Sequence, residues 1–578
     1  MLHKFTNKQV ADLLREVSAC YEANNENAFK IRAYSNAADA IEKIDSDIGD
    51  LWAEQRLTDI PGVGKSLEEH LDELFRTGKS THFNDVKKKF PRGMFRLLKV
   101  AGIGAKTALK LSLEFNLNDP DNAISQLKKA GESGRIRNLP GFGAESENKI
   151  LQNIEKMARE EKRLPLYFAD TISIKLLSYL GEFPGVVRAD PLGSLRRRVA
   201  TVGDIDISVA TRNSREVIDY FIKYPKITKV LSKGDVKASV LLDNIQVDIM
   251  TQEPNSYGSL LQHFTGSKLH NIHLRELAQE KGLSLSEYGV KKGPQTLKFD
   301  TEEGFYRFLG MQYVPPELRE NVGEIELSLK NKLPKLILSS DIKGDLQSHT
   351  LSSDGENTFS EMVAAAEKLG YEYFGITDHQ KSLSTHTEDE VNLIIEAQRK
   401  EIEQYNSSHK KTRVLFGVEI NVSSDNKVPY TNKLLQKFDY AIGAIHTSFG
   451  QSKEEVTERL LTLIENPLIK IIAHPTGRLL SEREGYSADW EAVFKACKKY
   501  NKVLEINGQP SRLDLPDSLV REAVRGGIML STNSDAHSTT DLAFMTYAVS
   551  VARRGWCEKK DIINTKSLEE LLKFLDVN

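Results

Sequence analysis

Gly193-Ser194-Leu195-Arg196-Arg197, followed by Gly203-Asp204-Ile205-Asp206, is the stretch on which the reading of this chain turns. In a β-strand, residues two apart point to the same face, so Asp204 and Asp206 present two carboxylates side by side. A second strand-like run, QVDIM at 246–250, brings a third carboxylate, Asp248. Like charges held that close call for a cation, and Mg²⁺ favours carboxylate together with phosphate oxygens. Three carboxylates hold two such ions about 3.5–4 Å apart, which stabilises both the attacking and the leaving oxygen of an in-line displacement. Gly193 and Ser194 are expected to open a helix whose N–H groups and hydroxyl hold a triphosphate, with Arg197 as its counter-charge. A bare D-x-D is also what a solvated strand edge looks like. The Gly-Ser pair, the arginines and the third aspartate together favour the phosphate-transfer reading, with Gly193, Ser194, Arg197 and Gly203 on the nucleotide side.

Before this stretch the chain reads helical to about residue 160, with apolar residues at three- and four-residue spacing, as in VADLLREV and LEEHLDELF. A weak repeat runs through it: IPGVGKSLEEHL at 60–71, VAGIGAKTALKL at 100–111 and LPGFGAESENKI at 139–150. Each has an apolar residue, a Gly-x-Gly turn and a helix. Gly62, Gly64, Gly102 and Gly104 let backbone N–H groups approach a phosphate, a grip that carries no sequence information. The acidic helix after the third turn leaves that one equally readable as a packing turn. Basic runs at Lys87, Lys88, Lys89 with Arg92, and at Arg196, Arg197, Arg198, read on charge alone equally well as solvated helix faces.

After the strand region, His263-Phe264-Thr265-Gly266-Ser267-Lys268 leads to Asn271 and Arg275. The charged, Pro-flanked stretch from Pro315-Pro316 to Pro334 looks like a connector. Beyond Lys343, strand-like runs alternate with helices, which predicts a parallel α/β architecture whose chemistry lies at the strand ends. Polar residues stand there in series: Gln347, His349, Asp354, His379, Glu419, His446, His474, Asp535 and His537. Any one of them alone reads as a structural residue, but their recurrence at successive strand ends reads as a metal centre.

The Gly193–Asp206 motif with Asp248 resembles the palm of the bacterial family X DNA polymerases, members of the nucleotidyltransferase superfamily. HFTGSK is similar to that family's thumb motif, with His263 where tyrosine often stands. The resemblance implies that Phe264 and Gly266 shape the sugar site, that Asn271 reaches the base edge and that Arg275 contacts the template. The hairpins resemble the helix-hairpin-helix. For the N-terminal domain the resemblance implies that Lys30, Tyr34 and Lys65 bind a gap's 5′-phosphate. Alignment on Gly62 and Gly64 puts His70 where a lysine forms the lyase Schiff base in some members, so weak or absent lyase activity is expected. The C-terminal series resembles the PHP domain, with a ligand set matched at eight positions and Gln347 where its first histidine stands. A carboxamide is a poorer ligand than imidazole for such metals. The barrel is therefore readable as an active Mn²⁺-dependent 3′-5′ exonuclease or as an impaired or structural barrel.

The expected fold is multidomain: an all-α helix-hairpin-helix N-terminal region, an α/β nucleotidyltransferase palm with thumb, and a C-terminal distorted (β/α)7 PHP barrel. Boundaries are expected at 1–85 and 86–160 for the helical domains, 161–257 for the palm, 258–316 for the thumb, 317–338 for a linker and 339–578 for the barrel. The length, 578 residues, exceeds what one core sustains. The resemblance implies two Mg²⁺ or Mn²⁺ ions in the palm, up to three Mn²⁺, Zn²⁺ or Fe ions in the barrel and a monovalent cation at the hairpins. Gapped or primed DNA and deoxynucleoside triphosphates are the expected partners, and the chain is expected to be monomeric. A net charge of −3 does not oppose DNA binding, because only the contact face matters. The absence of an apolar span, of a targeting signal and of a cysteine framework (the three are Cys20, Cys497 and Cys557) leads to an expected cytoplasmic, nucleoid-associated protein. Two other readings stay open: a phosphoesterase acting through the barrel over a degraded palm, and a non-catalytic scaffold for DNA ends.

Overall fold

The computed structural model describes every residue except 1–4, 6, 44–47, 54, 162, 244, 384 and 578. It forms two compact units, Met1–Lys162 and Arg163–Asn578, with three residues, 446–448, grouped with the first.

The first unit is helical. α1 (Asn7–Ala23) packs on α2 (Ala28–Lys43), and α3 (Lys65–Thr77) buries Leu67, Leu71, Leu74 and Phe75 on one face. Gly78 ends α3 in the left-handed conformation, φ 76°, where a Cβ would be costly. α4 (Ala105–Glu114) and α5 (Ala144–Glu161) follow the second and third hairpins. All three hairpins share one geometry. The first glycine has φ between 82° and 88° at Gly62, Gly102 and Gly141. In each, a backbone N–H donates three residues back over 3.0 Å: Val63 to Ile60, Ile103 to Val100 and Phe142 to Leu139.

The second unit holds the palm, the thumb and the barrel. The palm sheet has strands β1 (Arg188–Pro191), β2 (Ile205–Ala210), β3 (Ile227–Lys233), β4 (Lys237–Leu242) and β5 (Ile245–Gln252), ordered β1-β2-β5-β4-β3. β2 and β5 are parallel and central, and every other pairing is antiparallel. Ile205, Ile207 and Val209 alternate into the core against α6 (Leu166–Gly181). α7 (Gly193–Arg196) leads into the palm, and α8 (Tyr257–Thr265) and α9 (Lys268–Glu280) begin the thumb.

Part of the stretch expected to be a linker packs into the thumb. Leu318 and Ile325 belong to the apolar cluster of Leu274, Phe305 and Tyr306, and Arg319 and Glu324 are fully buried. Arg319 pairs with Glu302 at 2.7 Å, and Glu324 accepts from buried His270 at 2.7 Å. Prolines and charges signalled a connector because each charge's partner lies far away in sequence.

The barrel has seven parallel strands in sequential order among the described residues: β6 (Gly344–Asp345), β7 (Tyr373–Ile376), β8 (Arg413–Asn421), β9 (Tyr440–Ala444), β10 (Ile469–Ile472), β11 (Val503–Asn507) and β12 (Leu530–Asn533). Their near-continuous apolar runs fit strands covered on both faces. The ends of the sheet approach one another: His349 N–H donates to the Ala536 carbonyl at 2.8 Å, and Ser534 N–H to the Asp345 carboxylate at 3.2 Å. The barrel's last long helix, α10 (Met545–Arg554), packs against the palm and thumb: Tyr167 makes edge contacts with Phe544 and Tyr547.

Candidate active sites

In the palm, Asp206 on β2 lies directly across from Asp248 on β5. Burial, then the charges of Asp204 and Asp248, push the Asp206 carboxyl up to about 7. A carboxyl raised by two neighbouring carboxylates marks a site that lacks positive charge. Gln246 Nε2 holds Asp248 from outside, at 3.0 and 3.1 Å from its two oxygens. Leu192 N–H donates to the Asp206 carbonyl at 2.9 Å, which fixes the start of α7 against the triad. Gly193 has φ 57°, and a Cβ there would lie 3.3 Å from Asp206 Oδ2, so a side chain would be strained and would crowd the carboxylate. Donor set, charge and open backbone all suit divalent ions beside a phosphate chain. Gly203 is exposed at the turn before Asp204.

The arginine run is internal, not a solvated face. Arg196 forms a two-pronged pair with the buried Glu302. Arg197 donates to Glu320 at 3.0 Å and to the Thr265 carbonyl. Arg198 pairs with Asp170 at 2.6 Å and bonds Ser550 at 3.2 Å. Arg197, expected to face a triphosphate, is thus held by the thumb here. Its Nη1 lies 3.1 Å from where a Cβ of Gly266 would be, and Gly266 has φ 72°. Phe264 lies beneath Lys237 (5.4 Å to the ring centre), and Arg275 is half-buried. Asn271 is tied locally, donating to the His263 carbonyl at 2.7 Å and accepting from Gln262 at 2.8 Å. Burial lowers the His263 imidazole.

In the first unit, a Cβ at Gly64, Gly104 or Gly143 would meet nothing within 4 Å. No side chain caps α3 or α4 among the described residues, and an uncapped helix start of this kind suits an anion. A cleft of about 440 Å³ between the second and third hairpins is lined by Gly102, Lys106, Lys110, Gly141 and Lys149. Lys65 is exposed at the start of α3, and exposed Lys30 lies over the Tyr21 ring at 4.1 Å. Tyr34, expected to bind phosphate, is a core residue instead: it is buried, packed edge-on against Tyr21 and Phe83. The His70 ring stacks on His82 at 4.1 Å.

The barrel brings its predicted ligands together at the strand ends. His349, Asp354, His379 and His537 form one group whose ligand atoms lie within 4.8 Å of one another, His379, Glu419 and His446 a second, and His349, Glu419 and Asp535 a third. His474 Nε2 is 3.2 Å from Glu419 Oε1. Burial raises the Asp354 carboxyl, but His379 and His537 outweigh it and hold it well below the usual range. Burial lowers the His349 imidazole, but Asp535 and Glu419 outweigh it and raise it. His474 and Asp535 have φ of 28° and 53°, strained backbone of the kind found at functional sites. Gln347 is fully buried: its Nε2 donates to Glu419 Oε2 at 2.9 Å and approaches Asp535 Oδ1 at 3.4 Å, while its Oε1 has no hydrogen-bond partner among the described residues. Asn507, at the end of β11, was not anticipated: it donates to Asp535 Oδ2 at 3.0 Å. Its signal was only its place at a strand end.

Three family models match the chain: a helix-hairpin-helix domain over 5–80, the DNA polymerase beta thumb over 260–320 and a PHP domain over 345–509. Asp535 and His537 lie beyond that last match, at the end of the barrel's final strand. The chain is 35% identical to "DNA polymerase/3'-5' exonuclease PolX" of Bacillus subtilis, over 100% of both proteins. DNA polymerase lambda of Arabidopsis thaliana is 24% identical over 54% of this chain and 62% of its own length. A probable phosphatase of Caldicellulosiruptor saccharolyticus is 29% identical over 39% of this chain and 93% of its own. With a relative matched from end to end, and hairpin, thumb and barrel each falling where the geometry puts them, the chain belongs to the family X DNA polymerases that carry a C-terminal PHP domain.

Proposed function

We propose that this chain fills short gaps in DNA by template-directed synthesis during repair, and that its barrel trims 3′ ends. The observation that carries the reading is the pairing of Asp206 with Asp248 across parallel strands, with Gly193 against Asp206. Divalent ions, Mg²⁺ or Mn²⁺, held by Asp204, Asp206 and Asp248 would supply the positive charge that an in-line displacement at phosphorus needs. Asp248, fixed by Gln246, assists removal of the primer 3′-hydroxyl proton. The backbone at Gly193 and Ser194 orients the triphosphate, and Phe264 and Gly266 bound the sugar. The open hairpin N–H groups hold the DNA backbone, with Lys30 and Lys65 toward a 5′-phosphate. In this reading the palm spans 161–257, the thumb runs on from 258 through 317–329, where Leu318, Arg319, Glu324, Ile325 and Ser328 are buried, and the barrel spans 339–578.

The barrel's imidazole and carboxylate set suits Mn²⁺, Zn²⁺ or Fe, which would supply an activated water for phosphoester hydrolysis. Gln347 weakens one of those positions, since its amide N–H already occupies Glu419. Imidazole at residue 70 forms no iminium with an abasic sugar, so borohydride should trap little chain on abasic DNA. A DNA substrate fits a cytoplasmic, nucleoid-associated protein.

The deciding experiment is filling of a one-nucleotide gap with labelled deoxynucleotide in Mg²⁺ and in Mn²⁺, with Asp206→Ala alongside. Incorporation should fall at least about a thousandfold in the variant, as loss of a group acting on developing charge does. No incorporation by the parent chain would leave barrel hydrolysis as the activity, and equal incorporation by the two proteins would end the palm reading.

A further inference from the structure

Helix α10 of the barrel reaches the palm's phosphate side through one carboxylate. Glu320 Oε1 accepts from Arg197 Nε at 3.0 Å and from Arg554 Nη1 at 3.0 Å. The same Arg554 Nη1 donates to the Arg197 carbonyl at 2.7 Å, and its Nη2 is anchored on Asp517 of the barrel at 2.7 Å. Arg554 is buried, while Glu320 is about a quarter exposed. We propose that Arg554 is a positioning residue for nucleotide binding: by sharing Glu320 with Arg197, it sets how readily Arg197 is released to an incoming triphosphate. The inference rests on the palm reading given above.

The reasoning is electrostatic. When Arg197 turns from Glu320 and the Thr265 carbonyl toward phosphate, a half-buried carboxylate loses a cation. A carboxylate left without a partner in such a place is costly. Arg554 stays where it is, because Asp517 and the Arg197 carbonyl hold it, and it keeps Glu320 compensated. Without Arg554, Arg197 is the remaining cation paired with Glu320 among the described residues, and Glu320 holds it against the nucleotide. The barrel thereby contributes to substrate binding in the palm through a residue that touches no substrate. Arg553 adds a second tie on the same helix, pairing with Glu317 at 2.7 Å, but faces no phosphate-side group.

The test is single-nucleotide gap filling at varied deoxynucleotide concentration by the full chain and by Arg554→Gln, Arg554→Lys, Glu320→Gln and the Glu320→Gln/Arg554→Gln double variant. Arg554→Gln should raise the nucleotide KM about tenfold, the scale of one part-buried ion pair, with kcat and affinity for the gapped DNA within about twofold of the parent. Arg554→Lys should restore most of the loss. The double variant should return to the parental KM or below, because the carboxylate that retains Arg197 is gone. Glu320→Gln alone should lower KM, so the idea stays testable if Arg554→Gln does not fold. An unchanged KM in Arg554→Gln, a double variant as impaired as Arg554→Gln, or a raised KM in Glu320→Gln would overturn it. Should the parent chain incorporate nothing, or Asp206→Ala incorporate equally well, the palm reading fails instead.

Discussion

A single amide stands among the candidate ligands of the barrel. Gln347 and His349 stand two apart and enter the barrel mouth together, yet only His349 is an imidazole. Gln347 places N–H donors against Glu419 and Asp535, so these carboxylates are partly satisfied by the amide. Replacing it with histidine trades those donors for a metal ligand. Gln347→His should raise the metal content of the purified chain and speed Mn²⁺-dependent shortening of a 3′ end severalfold, read by metal analysis and by gel. No change in either would mean that the carboxamide does not limit the site. At this scale the gathering of these side chains was legible, because the candidate ligands and the palm carboxylates follow strand periodicity and strand ends. The burial of Tyr34 was not legible: its position resembled a phosphate contact, whereas its ring packs with Tyr21 and Phe83.

Between elements, the thumb is joined to the palm by buried charge. Glu302 bonds both Arg196 and Arg319. Burial raises the Glu302 carboxyl, but the Arg319 and Arg196 guanidiniums outweigh it and bring it down to about 2. A carboxylate depressed in the folded state stabilises above its unfolded pKa of about 4.3, and that stability is lost as pH falls from there toward about 2. Glu302→Gln should cost about 3–5 kcal/mol at pH 7, as removing one partner of a buried pair does. It should also flatten the fall in denaturant midpoint over that acid range. A variant with a full acid slope would show that the slope arises elsewhere. None of this was visible in the sequence: Arg196 and Glu302 are 106 residues apart, and charged residues carry no periodicity that announces a partner. For the same reason 317–338 read as a connector although Arg319 and Glu324 are buried. The hairpins, by contrast, were legible, because Gly-x-Gly turns have a local cause in positive φ.

Across the whole second unit, one apolar cluster runs from Leu166, Ile207 and Ile249 in the palm to Phe374, Ile420 and Leu504 in the barrel. Length had suggested separate cores, but contact between α6 and α10 merges them. Residues 163–578 should therefore melt in one cooperative transition, and a 163–338 fragment should lose it, as followed by calorimetry and circular dichroism. Two separate transitions in 163–578, or a stably folded 163–338, would contradict a shared core. Arg198 on Asp170 and Ser550, and Tyr547 on Asp170 at 3.1 Å, pin the same boundary. The synthetic and hydrolytic centres are thus fastened to one chassis and cannot swing past each other. For the barrel to trim an end that the palm has extended, that end has to make the journey itself, by letting go of the palm and being captured again, so competitor DNA should suppress such trimming.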